Sequence, residues 1–231
     1  MTITLITGAN KGLGFEAARR LAGLGHTVYL GARDAERGAA AAAELGVRFV
    51  PIDVTDDASV AAAIARIGAE AGGLDVLVNN AGIAGRRIPP AEVDADELRR
   101  VYETNVFGLV RVTHAALPLL GRSVSPVIVN VASGLGSLAI VTDPARMEHA
   151  FPVLAYGSSK SAVVSLTVQY AKALPGIRIN VVDPGYTATD LNGRSGTQSV
   201  TEGTDAMVRL ATIGADGPTG GFFDRAGVVP W

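Results

Sequence analysis

With 231 residues, 48% of them apolar and 18% charged, the chain is long enough to bury a sizeable core and too apolar to be disordered. A formal charge of −2 excludes the basic face that nucleic acid needs, and the absence of cysteine excludes disulfides and thiolate zinc sites. The N-terminus enters a strand at once, with no basic run followed by an apolar leader core. The greasiest stretch, 107–120, is broken by Arg111, His114 and Pro118. The expectation is a cytoplasmic protein with no membrane association.

Short β-branched runs alternate with helical patterns along the chain. Strands are predicted at 2–6, 27–30, 48–52, 76–78, 127–131 and 178–182, with a last short one near 221–223. Helices are predicted at 13–24, 35–45, 58–71, 96–120 and 156–174, with a weaker one near 201–212. Strand and helix in alternation imply an α/β fold: a Rossmann-type, doubly wound parallel sheet of about seven strands with helices on both faces. The strands are continuous apolar runs, as a sheet covered on both faces requires. No composition shift or repeat divides the chain, so it reads as one domain over 1–231. Two segments break the rhythm, 134–155 and 187–200. Both follow strand C-terminal ends, where open α/β sheets place their ligand crevice, and both are expected to be mobile covers over a binding site.

The first turn after strand one reads Thr7-Gly8-Ala9-Asn10-Lys11-Gly12-Leu13-Gly14. Gly8 suits a tight turn, Gly12 a close backbone approach to a pyrophosphate, and Gly14 close helix–strand packing. The helix that follows offers its free N–H groups to phosphate. After strand two, an enzyme that uses NAD needs an acid for the ribose 2′-hydroxyl. This chain instead has Gly31-Ala32-Arg33, with Asp34 one residue on and Lys11 in the glycine loop. Two cations and a small residue suit a 2′-phosphate, although both could equally be solvated surface charges. Asp53 and Val54 follow strand three, within reach of an adenine. Asn79-Asn80-Ala81-Gly82 ends strand four, where amides and small residues can line a cofactor. Strand five ends at Ser133. Strand six ends at Asp183-Pro184-Gly185-Tyr186-Thr187-Ala188-Thr189, whose turn would bring Thr187 and Thr189 toward a nicotinamide amide.

Tyr156 and Lys160 are four apart at the start of the last long helix, hence on one face. At about 4 Å and an effective dielectric of about 20, two unit charges interact by roughly 4 kcal/mol. That is enough to lower a phenol by up to about 3 units from its reference near 10 and make it a general acid. A lone Tyr-x-x-x-Lys is far more often an ordinary amphipathic helix, so its weight depends on company.

The company is present. The strings TGANKGLG, DVT, NNAG, TNVFG, VNVASG, YGSSK and DPGYTATD occur in order, each at its expected element. Along essentially its whole length the chain resembles the short-chain dehydrogenase/reductase family, and is similar to its single-domain carbonyl reductases. The resemblance implies an NADPH-preferring oxidoreductase that interconverts a carbonyl and an alcohol by hydride transfer. In it Tyr156 gives the proton, Lys160 holds the nicotinamide ribose and lowers the tyrosine pKa, Ser133 bonds the substrate oxygen, and Asn105 supports a water relay to Lys160. Cofactor contacts carry over to Gly8, Asn10, Lys11, Gly12, Leu13, Gly14, Arg33, Asp53, Val54, Asn80, Ala81, Gly82, Tyr156, Lys160, Pro184, Gly185, Thr187 and Thr189.

The gap from Ser133 to Tyr156 is longer than in most of the family and resembles, on a smaller scale, the insertion of monomeric carbonyl reductases. A homo-oligomer, dimer or tetramer, is still expected through the long central helices, with a monomer as the alternative. No metal is expected, since His26, His114 and His149 are scattered. The rival from another class is a catalytically silent cofactor-binding regulator on the same fold. It has no use for a complete Asn105, Ser133, Tyr156 and Lys160 set.

Overall fold

A computed structural model describes residues 1–231. Seven parallel strands form one sheet in the order β3-β2-β1-β4-β5-β6-β7. They are β1 (Ile3–Ile6), β2 (Thr27–Ala32), β3 (Arg48–Pro51), β4 (Val76–Asn79), β5 (Val127–Val131), β6 (Arg178–Val182) and β7 (Phe222–Phe223). Every pairing between them is parallel, with Ile6 opposite Val78, Asn79 opposite Asn130 and Val131 opposite Val182. Chain direction across the sheet reverses between β1 and β4, which opens a crevice beyond their C-terminal ends. The connecting helices are α1 (Gly12–Gly23), α2 (Ala35–Leu45), α3 (Asp57–Ala71), α4 (Ala95–Tyr102), α5 (Gly108–Leu120), the short α6 (Leu138–Val141), α7 (Leu154–Ala173), the short α8 (Val200–Gly203) and α9 (Asp205–Ala211). None is long and apolar enough to cross a membrane.

The core has two main layers because successive strand side chains point to opposite faces. Ile6, Leu30, Val78 and Val129 pack with Leu21 of α1 and Met207 and Leu210 of α9. Their neighbours Leu5, Tyr29, Leu77 and Ile128 pack with Ile64 and Ile67 of α3 and Val112 and Leu119 of α5. With both faces buried, the sheet is a rigid platform whose strand ends, not its faces, are left open.

The helix expected over 96–120 is three pieces. Between α4 and α5 the chain widens into a π-helical turn at Glu103–Phe107. Asn105 supplies the reason: its Oδ1 accepts from Ile83 N at 2.8 Å, and its Nδ2 donates to Ile83 O and to Ser159 Oγ, both at 3.0 Å. Turning that side chain inward costs a regular helical register, and π-turns of this kind gather at functional sites. The weaker helix near 201–212 also divides, into α8 and α9.

The segment between β4 and α4 is tied down by Glu97, whose carboxylate is nearly inaccessible. It accepts from Arg86 N at 2.5 Å and from Arg100 Nε and Nη2 at 2.9 and 2.8 Å. The half-exposed Arg86 side chain reaches the same carboxylate through Nε at 3.2 Å. The Arg100 guanidinium, then the Arg86 backbone, hold the Glu97 carboxyl down at about 2. A carboxylate lowered in the folded state stabilises above its unfolded pKa near 4.5, and the contribution is lost as pH falls toward 2. Glu97→Gln is therefore expected to lower the melting temperature at pH 7, with the difference from wild type closing below pH 4. Thermal melts from pH 3 to 7 check this, and a difference independent of pH contradicts it.

Candidate active site

The crevice floor is built from two loops stitched together. Gly8 and Gly12 take positive φ, 62° and 58°. A Cβ on Gly8 would stand 2.8 Å from Ala81 Cα, and one on Gly14 would stand 2.5 Å from Asn80 Nδ2. No larger residue fits at either position. Thr7 Oγ1 accepts from the backbone N–H of Asn80 and Ala81, and Asn80 Nδ2 donates to the carbonyls of Thr7 and Gly8 at 2.9 and 3.0 Å. Thr7 is a joint that the motifs alone do not reveal. Lys11 is the N-cap of α1 and makes no side-chain cap, so the first N–H groups of that helix face the crevice unclaimed by the chain.

Lys11 lies 3.1 Å from Asp190, and Arg33 Nε lies 3.9 Å from Asp53; both cations are largely exposed. Asp34, the acid that follows them, is used up locally: it caps α2 by accepting from Arg37 N and also pairs with the Arg37 side chain. Asp53 Oδ1 is bonded to Thr55 N and Oγ1, and Val54 packs beneath Gly108. Of the two threonines expected to reach a nicotinamide, Thr187 is turned inward, buried and donating to Pro184 O at 2.9 Å. Thr189 instead lies beside Gly12.

Beyond β5, Ser133 is fully extended and begins the 134–155 segment. That segment is not a bare loop. It holds helical turns at Gly134–Gly136 and Met147–Ala150 with α6 between them, and it packs on the start of α7. Gly136 lies so close to the backbone of Lys160 that a Cβ would come within 2.7 Å. Lys160 Nζ, only 4% exposed, donates to Val131 O at 2.7 Å and stands 5.6 Å from the Tyr156 ring centre. A Cβ on Gly82 would fall 3.3 Å from Asn105 Oδ1 and 3.5 Å from Lys160 Nζ. Asn105, Ser133, Tyr156 and Lys160 therefore converge at the end of β5.

The acid–base balance differs from the one expected. Burial pushes the Tyr156 phenol up to about 12, aided by the Asp183 carboxylate, with Ser133 pulling the other way. Burial pushes the Lys160 ammonium down to about 8. Without cofactor, Lys160 does not acidify the phenol, because both groups share one dry pocket and the ammonium is turned to a carbonyl. Asp183, before the Pro184-Gly185 turn, is the residue that the motif reading passed over. Its carboxyl is raised by burial, against hydrogen bonds from Gly185 N and Gly134 N. An acid closing an otherwise apolar strand was the available signal. No three His, Asp or Glu side chains gather to hold a metal.

A lysine depressed in the folded state costs stability below its folded pKa, and that cost is relieved as pH rises from about 8 toward 10.5. Tyr156, raised to about 12, contributes fully below pH 10 and stays silent in this window. The melting temperature of the cofactor-free protein is expected to rise relative to Lys160→Met by on the order of 5 °C between pH 7.5 and 10. Parallel curves would show that the ammonium is not buried.

Comparisons with known proteins identify the family. The family model described as short chain dehydrogenase matches residues 2–199. (+)-Neomenthol dehydrogenase of Capsicum annuum is 31% identical, with 97% of this chain and 96% of that protein covered. Its alignment runs over 301 positions, more than the 231 residues present here, so that relative carries insertions this chain lacks. Salutaridine reductase of Papaver bracteatum is also 31% identical, over 97% of this chain and 94% of that protein. Among solved structures, NADPH-bound carbonyl reductase from chicken fatty liver superposes with a TM-score of 0.87 at 28% identity, covering 100% of both chains. The chain belongs to the short-chain dehydrogenase/reductase family and is one of its oxidoreductases.

Proposed function

We propose that this chain is an NADPH-dependent reductase of small-molecule carbonyl compounds in which Tyr156 is the proton donor. The observation that carries the reading is the meeting of Ser133, Tyr156, Lys160 and Asn105 at the C-terminal end of β5. The glycine cradle, which a Cβ at Gly8 or Gly14 would fill, and the uncapped start of α1 fit a dinucleotide pyrophosphate. Gly8, Asn10, Lys11, Gly12, Leu13 and Gly14 would hold that group. Arg33 and Lys11 would meet the 2′-phosphate, Asp53 and Val54 the adenine, and Asn80, Ala81 and Gly82 the length of the cofactor. Tyr156 and Lys160 would hold the nicotinamide ribose, and the turn Pro184, Gly185, Thr187 and Thr189 would hold the amide. The solved chicken carbonyl reductase, which holds NADPH, supports the choice of cofactor.

When bound, NADPH supplies the hydride. The chain's own part is to place and move a proton. A phenol pushed up to about 12 enters the reaction fully protonated, which is the state a donor to a carbonyl oxygen needs. Ser133 holds the same oxygen. Lys160, with its ammonium lowered to about 8 and the adjacent Ser159 held by Asn105 of the π-turn, replaces the proton. We place the protein in the cytoplasm, in keeping with a chain without cysteine. We further infer a dimer or tetramer through the 96–120 helical stretch (α4 and α5) and α7, with Phe107 half-exposed between α4 and α5.

Tyr156→Phe removes the donor and keeps the ring. Turnover of a ketone is expected to fall by 10²–10⁴-fold, on the order usual for general acid catalysis, with NADPH affinity nearly unchanged. Retention of more than about a tenth of wild-type turnover, with chemistry rate-limiting, assigns the acid elsewhere. For the cofactor, each charge-assisted contact to the 2′-phosphate is worth roughly 1–2 kcal/mol, so kcat/KM is expected to favour NADPH over NADH by on the order of 10²-fold at low salt. Pairing Ala32→Asp with Arg33→Ser should reverse the preference. Equal values in the wild type would show Arg33 and Lys11 committed to Asp53 and Asp190.

A further inference from the structure

The wall beside Tyr156 carries a charge that the reaction itself does not require. Asp183 Oδ1 accepts from Gly185 N at 2.8 Å, which fixes the carboxylate at the end of β6. A Cβ on Gly134, the residue after Ser133, would stand 2.9 Å from Asp183 Oδ2 and 3.1 Å from Glu148 Oε1. Two carboxylates from different elements thus converge on the backbone next to the proposed catalytic serine, and Asp183 is close enough to Tyr156 to act on its phenol. Asp224, after β7, also lies close enough to act on the Asp183 carboxyl. The nearby cations offset little of this. Lys160 is turned to Val131 O, and Arg146 lies 3.7 Å from Glu148 at the half-exposed rim. The His149 ring is engaged with Val141 O.

Around this acidic floor the entrance is apolar. Leu138, Met147, Phe151 and Leu154 on the 134–155 segment, and Leu191 on the loop after β6, are each 45% to 66% exposed. The first four lie on the segment that runs into the proposed catalytic tyrosine, and all five leave their side chains uncovered, as a binding mouth for an apolar molecule would.

Resting on the carbonyl-reductase reading, we propose that Asp183, backed by Glu148, selects substrate by charge: the site takes bulky apolar ketones that are neutral or cationic and turns away ketones bearing a carboxylate or phosphate. Where two carboxylates converge on one backbone position, as these do at Gly134, sharing a proton between them leaves one negative charge in place. A further anion brought within several ångströms of that charge, in a site of intermediate dielectric, costs on the order of tenfold to a hundredfold in kcat/KM. An amine suffers no such penalty.

Three ketones of one shape test this: methyl 4-acetylbenzoate, 4-acetylbenzoate and 4-(aminomethyl)acetophenone. Each is titrated calorimetrically into the NADPH-loaded protein and assayed for NADPH oxidation. The ester and the amine are expected to bind and react at least tenfold better than the acid. In Asp183→Asn and in Glu148→Gln the ratio of ester to acid should fall toward one. The second variant, at a partly exposed position, keeps the test alive if the first fails to fold. Equal affinity for acid and ester in the wild type, or a ratio unmoved in both variants, overturns the proposal. Ligands bound with the expected charge preference but not reduced would sink the reductase reading and leave charge selection standing.

Discussion

The arrangement depends on one buried contact, the Lys160 ammonium against the carbonyl of Val131 at the last residue of β5. A cation 4% exposed, with a carbonyl and not a carboxylate as partner, is expensive. The fall of its pKa from 10.5 to about 8 corresponds to roughly 3 kcal/mol. A packed apolar side chain would serve stability better. What the contact secures is position: it fixes α7 over the strand end, with Tyr156 one turn away and Ser133 two residues beyond Val131. Gly136 closes on the Lys160 backbone from above, and Asn105 closes on Ser159 from the side. The fold tolerates a costly charge at the place where chemistry needs one.

The surrounding structure holds that place still. Asn79 donates to Asn130 and Thr113, and Asn130 donates to Thr167 of α7, so β4, β5, α5 and α7 are joined by amides inside the core. Thr7 and Asn80 join the glycine loop to the β4 loop, and Glu97 joins the latter to α4. These donors are wholly or partly buried and have defined partners, and such groups specify one geometry because any other leaves them unpaired. Rigidity at the strand ends contrasts with the entrance, where exposed apolar side chains ride on short helical turns.

Much of this was legible in the sequence because periodicity reports burial. The alternation of apolar strands and helices implied the parallel sheet, and strands β5 and β6 fall at the residues their β-branched runs predict. Ser133 was legible at a strand end, Tyr156 and Lys160 by their helical spacing, and Asn105 only by the TNVFG string. Three features were not. The π-turn at 103–107 follows from a tertiary contact of Asn105 with Ile83, which no local pattern encodes. The elevated phenol follows from burial and from Asp183, whereas the Tyr156–Lys160 spacing alone suggested the opposite shift. The inward turn of Thr187 reflects its packing against Gly203, a residue sixteen positions on.

The central claim is that this crevice delivers a hydride to a carbonyl carbon while Tyr156 delivers the proton. Label tracing tests it most directly, by incubating the protein with methyl 4-acetylbenzoate and NADPH deuterated at the transferable C4 position and examining the product by mass spectrometry. The expected product is the alcohol with one deuterium on the carbinol carbon, formed by the wild type and lost in Tyr156→Phe. Alcohol without deuterium at that carbon, or NADPH left unoxidised across a panel of neutral apolar ketones, would contradict it.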